Sequence, residues 1–149
     1  MNGYTSGQIL SLICFVTWGT WLSVYDLRFH RLPNRVVATI TVVLAVLAVL
    51  DSHRIHIFSF AAAHFCIYLA MHVISKGSLG IGDVKYSLPV GLITGMFDVQ
   101  LANLVWMTFV LAAIGSLGLV LANRRSWKSR IAFGPYMSVG ALLSVLMSL

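Results

Sequence analysis

The sequence predicts an all-α integral membrane protein of six transmembrane helices, and three observations carry that prediction. Of 149 residues, 59% are hydrophobic and only 9% charged, against about 25% charged in soluble domains; the mean hydropathy is +0.92. The apolar residues fall into six continuous runs without the inside/outside alternation of a membrane strand, so helices are expected and a barrel is not. Basic residues gather in every second connection between the runs. At about 20 residues per crossing, the chain has length for about six spans and none for a separate soluble domain. A single six-helix membrane-embedded domain over residues 1–149 is therefore expected.

The runs follow one another closely. Gln8–Tyr25 comes first and ends against Asp26. Pro33 and Asn34 shape the turn that follows and cap the second run, Val36–Leu50. The third, Ile55–Ile74, contains His64 and His72. The fourth, Val84–Phe97, follows directly on Asp83 and carries Gly91 and Gly95 at the spacing that lets two helices approach closely. Val99–Asn123 is the fifth. The sixth, Ile131–Leu149, is expected to be locally disrupted by Gly134 and Pro135, where non-helical backbone is tolerated if it lines a cavity. Runs two and four are short for a bilayer, so their helices extend into the loops or the membrane thins around them. Tyr4, Trp18, Trp21, Tyr25 and Trp127 lie near run ends, as interfacial anchors do.

Orientation follows from charge. Arg28, Arg31 and Arg35 lie in the first connection, Lys76 and Lys85 around the third, and Arg124, Arg125, Lys128 and Arg130 in the fifth. The other side has only Arg54. The excess of positive charge places the first group in the cytoplasm and both termini outside it. The net charge of +6 is thus assigned to orientation and to anionic lipid headgroups, not to nucleic acid. The N-terminus has no basic residue ahead of its apolar run and no small-residue cleavage pattern, so a removable signal peptide is not expected. Cys14 and Cys66 lie inside apolar runs as small core residues.

The four acidic residues obey the same alternation. Asp26 and Asp83 fall at the cytoplasmic boundary, and Asp51 and Asp98 lie on the opposite side. Each of the first two has a structural reading: Asp83 as a helix N-cap, Asp26 as a partner of Arg28. Ionisable groups at a membrane are costly enough that a functional role is an equal alternative. Gly80 and Gly82, in "GIGD", would allow an extended peptide to approach Asp83 closely. His64 and His72 have no carboxylate or cysteine at ligand spacing, so no metal site and no cofactor are expected.

Three segments, in order, resemble the type IV prepilin peptidases. "YDLRFHRLPN" (Tyr25–Asn34) is similar to that family's helix-ending Asp with a following basic stretch and Pro-Asn pair. "GIGDVK" (Gly80–Lys85) is similar to its GxGDxK motif, and "FGPY" (Phe133–Tyr136) to an element of its last membrane helix, although Ala132 stands where many members have proline. The resemblance spans nearly the whole chain. It implies a GxGD-type intramembrane aspartyl protease in the inner (plasma) membrane. Such enzymes cut the leader from type IV prepilins or pseudopilins at the cytoplasmic membrane face. The implied catalytic pair is Asp26 and Asp83, with Gly80, Gly82, Lys85, Arg28, Gly134 and Pro135 lining the site. Many members also carry a cysteine-rich segment and N-methylate the new terminus; without such a segment here, peptidase activity alone is expected. The chain is also similar to archaeal preflagellin peptidases, which share the two-aspartate layout. The alternative from another class is a non-catalytic transporter subunit or scaffold, in which the two aspartates serve ion coupling or capping.

Overall fold

The computed structural model describes residues 5–76, 79–121 and 132–148. Arg124, Arg125, Lys128, Arg130, Tyr4 and Trp127 lie outside them, as do the predicted ends of runs five and six. The described chain is all helical: α1 (Ser6–Phe29), α2 (Asn34–Val49), α3 (Arg54–Ile74), α4 (Ile81–Met96), α5 (Leu101–Leu121) and α6 (Gly134–Ser148). Among the described residues, three helices are long and apolar enough to cross a membrane: α1, α3 and Leu101–Gly118 of α5. The helices α2 and α6 are shorter and apolar. At about 1.5 Å per residue, the 16-residue α2 and α4 each span about 24 Å.

Local chemistry explains where the helices start and stop. Thr5 caps α1: its hydroxyl accepts from the Gln8 amide while the Gln8 side chain returns to the Thr5 N–H. The helix runs four residues beyond Tyr25, because Asp26–Phe29 continue the backbone ladder whatever their polarity. It ends at His30, a left-handed residue (φ 49°) whose N–H donates to the Asp26 carbonyl at 2.8 Å. Lys76 (φ 52°) and Asp98 (φ 51°) likewise turn the chain after α3 and α4. Pro33, not Asn34, is the N-cap of α2, and no side chain caps that helix end. Gly134 and Pro135 do not interrupt the sixth helix, as their sequence suggests. They open it, since proline in a first turn forfeits no hydrogen bond.

The helix α4 is the centre of the bundle. It packs most extensively on α3, then on α2 and α6, and also against α1, and every residue from Pro89 to Met96 is buried. The contact with α3 is close because Gly91 and Gly95 face it. A Cβ on Gly91 would lie 2.7 Å from the Ala61 Cα, and one on Gly95 3.2 Å from the Ile57 Cα. Pro89 leaves the Lys85 carbonyl without its ladder donor inside this helix. Around the centre, α1, α2, α3 and α5 turn large apolar side chains outward, among them Ile13, Val16, Val42, Val46, Ile55, Trp106 and Ile114. A helix in water would hide that surface.

Alternating helix directions divide the bundle into two ends. At one, the Gln8 side chain at the start of α1 donates to the Met96 carbonyl at the end of α4 (2.8 Å), and His56 lies 3.6 Å from Asp98. The end of α1 and the starts of α2, α4 and α6 meet at the other. Asp26 and Asp83 are both there.

Candidate active site

Asp26 occupies the last turn of α1 and is 5% exposed. One carboxylate oxygen accepts the Gly134 N–H, the first amide of α6, at 3.0 Å. That helix terminus presents unpaired N–H groups and a partial positive charge, which suits a carboxylate. Gly134 has no room for a side chain: a Cβ there would lie 3.0 Å from the Asp26 Oδ2 and 3.4 Å from the Leu32 Cδ2. His30, the C-cap of α1, acts electrostatically on Asp26. Arg28 is exposed in the last turn of α1, and no Arg28–Asp26 ion pair forms among the described residues.

Asp83 is the third residue of α4. Gly80 is the N-cap, so the reading of Asp83 as N-cap is corrected by three positions. Its carboxylate reaches back to the Gly80 amide, so it still serves the helix end from inside the first turn. A Cβ on Gly80 would lie 2.9 Å from the Asp83 Oδ2. On Gly82 the Cβ would contact Leu32, 3.4 Å from its Cβ. Leu32 therefore touches the surroundings of both aspartates, bridging Gly82 on α4 and Gly134 on α6. The two carboxylates act on each other electrostatically. Packing thus brings together two acids 57 positions apart in sequence (83 minus 26).

Behind Asp26 lies a buried polar chain that sequence reasoning missed. The Ser138 hydroxyl donates to the Gly134 carbonyl (3.1 Å), meets the Tyr86 hydroxyl (2.8 Å) and accepts from Ser23 (3.1 Å). It joins α1, α4 and α6 one turn beneath the acids. The spacing was available as a signal: Ser138 stands four residues after Gly134 and Tyr86 three after Asp83, one turn along each helix.

The remaining expected lining residues are placed as follows. Lys85 is exposed and donates from Nζ to the Asn34 Oδ1 at 3.1 Å, linking the starts of α4 and α2. Pro135 is half-buried beside Gly134. His64 and His72 each turn Nδ1 to a backbone carbonyl, of Ser87 (2.9 Å) and Leu79 (2.6 Å).

Comparison with known proteins identifies the family of the chain. The profile of the type IV leader peptidase family matches residues 13–123. The chain belongs to the type IV leader peptidase family. That match includes Asp26 and Asp83 but stops short of Gly134. The chain is also 25% identical over 142 residues to a prepilin leader peptidase/N-methyltransferase of Bacillus subtilis, covering 93% of this chain and 56% of that protein. It thus spans little more than half the length of the curated relative it matches. No solved structure matches it.

Proposed function

We propose that this leader peptidase is a membrane-embedded aspartic endopeptidase that removes the leader of type IV prepilins or pseudopilins, with Asp26 and Asp83 as its dyad. The observation that carries the reading is the meeting of these two acids beside Leu32, while Asp51 and Asp98 lie away from them. Two adjacent carboxylates share one proton more easily than both ionise. The ionised member removes a proton from water as the water oxygen bonds to the scissile carbonyl carbon, and the carbonyl π pair moves onto its oxygen. The protonated member first hydrogen-bonds that oxygen. When the carbonyl re-forms and the C–N bond breaks, the departing nitrogen takes a proton from the dyad.

The outward apolar faces support a bilayer around the bundle, with six helices crossing it. Among the described residues, Arg28, Arg31, Arg35, Lys76 and Lys85 fall at or beside the aspartate end and Arg54 at the other, which supports a cytoplasmic site in the inner membrane. Both termini then face away from the cytoplasm. A prepilin with a basic leader and an apolar helix would lie with its cut site at that boundary. Gly80, Gly82, Gly134 and Pro135 provide backbone it can approach, and Arg28 and Lys85 border the entrance. Water activation needs no metal or other cofactor in this scheme. With cysteines only at positions 14 and 66, no methyl transfer is proposed.

The test uses purified protein in liposomes and a synthetic prepilin. Asp26→Asn and Asp83→Asn each lower cleavage by at least about 10³-fold, as removal of a member of a catalytic unit does, while chelators leave the rate unchanged. Near wild-type cleavage by either variant would rule out the dyad. A wild-type protein that cuts no prepilin favours an ion-coupling or scaffold role for the two acids.

A further inference from the structure

The facing stripes of α3 and α4 fix a register that has one chemically active consequence. Going down α4 and up α3, Gly95 meets Ile57, Gly91 meets Ala61, Ser87 meets His64 and Leu79 meets His72. Residues 83, 87, 91 and 95 form one stripe at four-residue spacing. The position on α3 that continues the series opposite Asp83 is Tyr68, and its phenol acts electrostatically with Asp83.

Tyr68 is completely buried, yet its hydroxyl has no hydrogen-bond partner of good geometry among the described residues. Thr108 lies beside it and donates its own proton to the Leu104 carbonyl at 2.9 Å; its Oγ1 could still accept, but no hydrogen bond of good geometry joins the two hydroxyls. The ring is fixed by aromatic neighbours, with centroids 4.8 Å from His64, 6.0 Å from Phe109 and 6.3 Å from Phe133. Phe133 immediately precedes Gly134, whose amide holds Asp26. The phenol is therefore set between the structures that carry the two acids. Leaving a buried donor unpaired is unfavourable, and such groups call for an explanation.

We infer that Tyr68 is a third catalytic residue, whose hydroxyl donates a hydrogen bond to the scissile carbonyl oxygen of the bound peptide as negative charge develops there. The phenol keeps its proton throughout; the proton transfers remain with the aspartates. Its aromatic surroundings exclude bulk water, so the donor is offered to what the site admits, and a fixed donor in a dry site acts strongly on a developing oxyanion.

The inference rests on the peptidase reading, and one experiment separates the two. Wild type, Asp83→Asn, Tyr68→Phe and Thr108→Val are compared on a synthetic prepilin in liposomes. Tyr68→Phe is expected to lose about 10²–10³-fold in kcat, as loss of one oxyanion donor does, with KM nearly unchanged. Its thermal midpoint stays equal or rises, because the group removed had no partner to lose. Thr108→Val keeps wild-type cleavage. The inference is overturned if Tyr68→Phe retains near wild-type kcat, if its thermal midpoint falls along with activity, or if Thr108→Val reproduces the loss. Wild-type cleavage that Asp83→Asn abolishes and Tyr68→Phe preserves sinks this inference alone. A wild type that cuts no prepilin sinks both readings.

Discussion

Asp26 and Asp83 stand at the same end of the bundle, yet the chain holds them in different ways. Asp26 is buried in the last turn of a long helix, and its amide donor comes from Gly134, 108 residues away. Asp83 is partly buried in a first turn, and its amide donor comes from Gly80, three residues back. One carboxylate is positioned by tertiary packing of α1 against α6, the other by the local geometry of a single helix start. Damage to the first should therefore spread into the fold, whereas damage to the second should remain at the site.

Gly134→Ala should have the largest effect. The new Cβ meets the Asp26 carboxylate at 3.0 Å and Leu32 at 3.4 Å, and two helices restrict how either can move. Overpacking of this kind costs about 1–3 kcal/mol. Displacing a reacting group by about 1 Å costs about 10²-fold in rate. Both the thermal midpoint and prepilin cleavage should fall; a stable, active variant would show that α6 does not hold Asp26. Gly80→Ala is the counterpart. Gly80 has φ −65° and ψ 140°, open to any residue, and the clashing atom at 2.9 Å is the mobile end of Asp83. Stability should change by less than about 1 kcal/mol, while cleavage falls about tenfold or more as the carboxylate turns aside. Equal losses of stability from the two glycines would erase the contrast between the acids.

The same contrast explains what could be read in the sequence. The existence of all six helices, both acids, the glycines next to Asp83 and the close contact at Gly91 and Gly95 are written in local pattern. The Gly134 donor is not, because nothing near Asp26 specifies which helix start will come to rest on it. Gly134 and Pro135 read as a disruption because a glycine-proline pair inside a long apolar run has that meaning; only the true start of α6 makes it an opening turn. The polar chain through Tyr86, Ser138 and Ser23 left only a one-turn spacing from Gly134 and Asp83 in the sequence, since joining it needs three helices in place. Tyr68 lay closer to view. Extending the Gly91–Gly95 stripe back by fours reaches Asp83, but pairing it with Tyr68 requires the α3–α4 register.

A milder test addresses how far the packing around Asp26 reaches. Tyr86→Phe removes the hydroxyl that meets Ser138, while Ser138 keeps its bonds to Gly134 and Ser23. A cost of about 1 kcal/mol is expected for the lost hydrogen bond, with cleavage reduced less than about tenfold because the Gly134 amide stays on Asp26. Thermal melts and prepilin turnover measure the two. A loss as deep as that of Gly134→Ala would mean that α4 takes part in holding both acids.

The smallest effect belongs to Lys85, on the exposed side of the Asp83 helix start. Its ammonium donates to Asn34 at 3.1 Å in contact with solvent, so Lys85→Met should change stability by no more than about 0.5 kcal/mol. Because the residue is linked to α2 and borders the proposed entrance, the expected change is a rise in KM of about threefold with kcat unaltered, the signature of lost uniform binding. Asn34→Ala breaks the same link from the other side and should give the same modest rise. A fall in kcat for Lys85→Met alone would move Lys85 from the entrance to the acid itself. Asp83 would then depend on a partner two residues away as Asp26 depends on α6, and the two acids would be less unlike than their surroundings suggest.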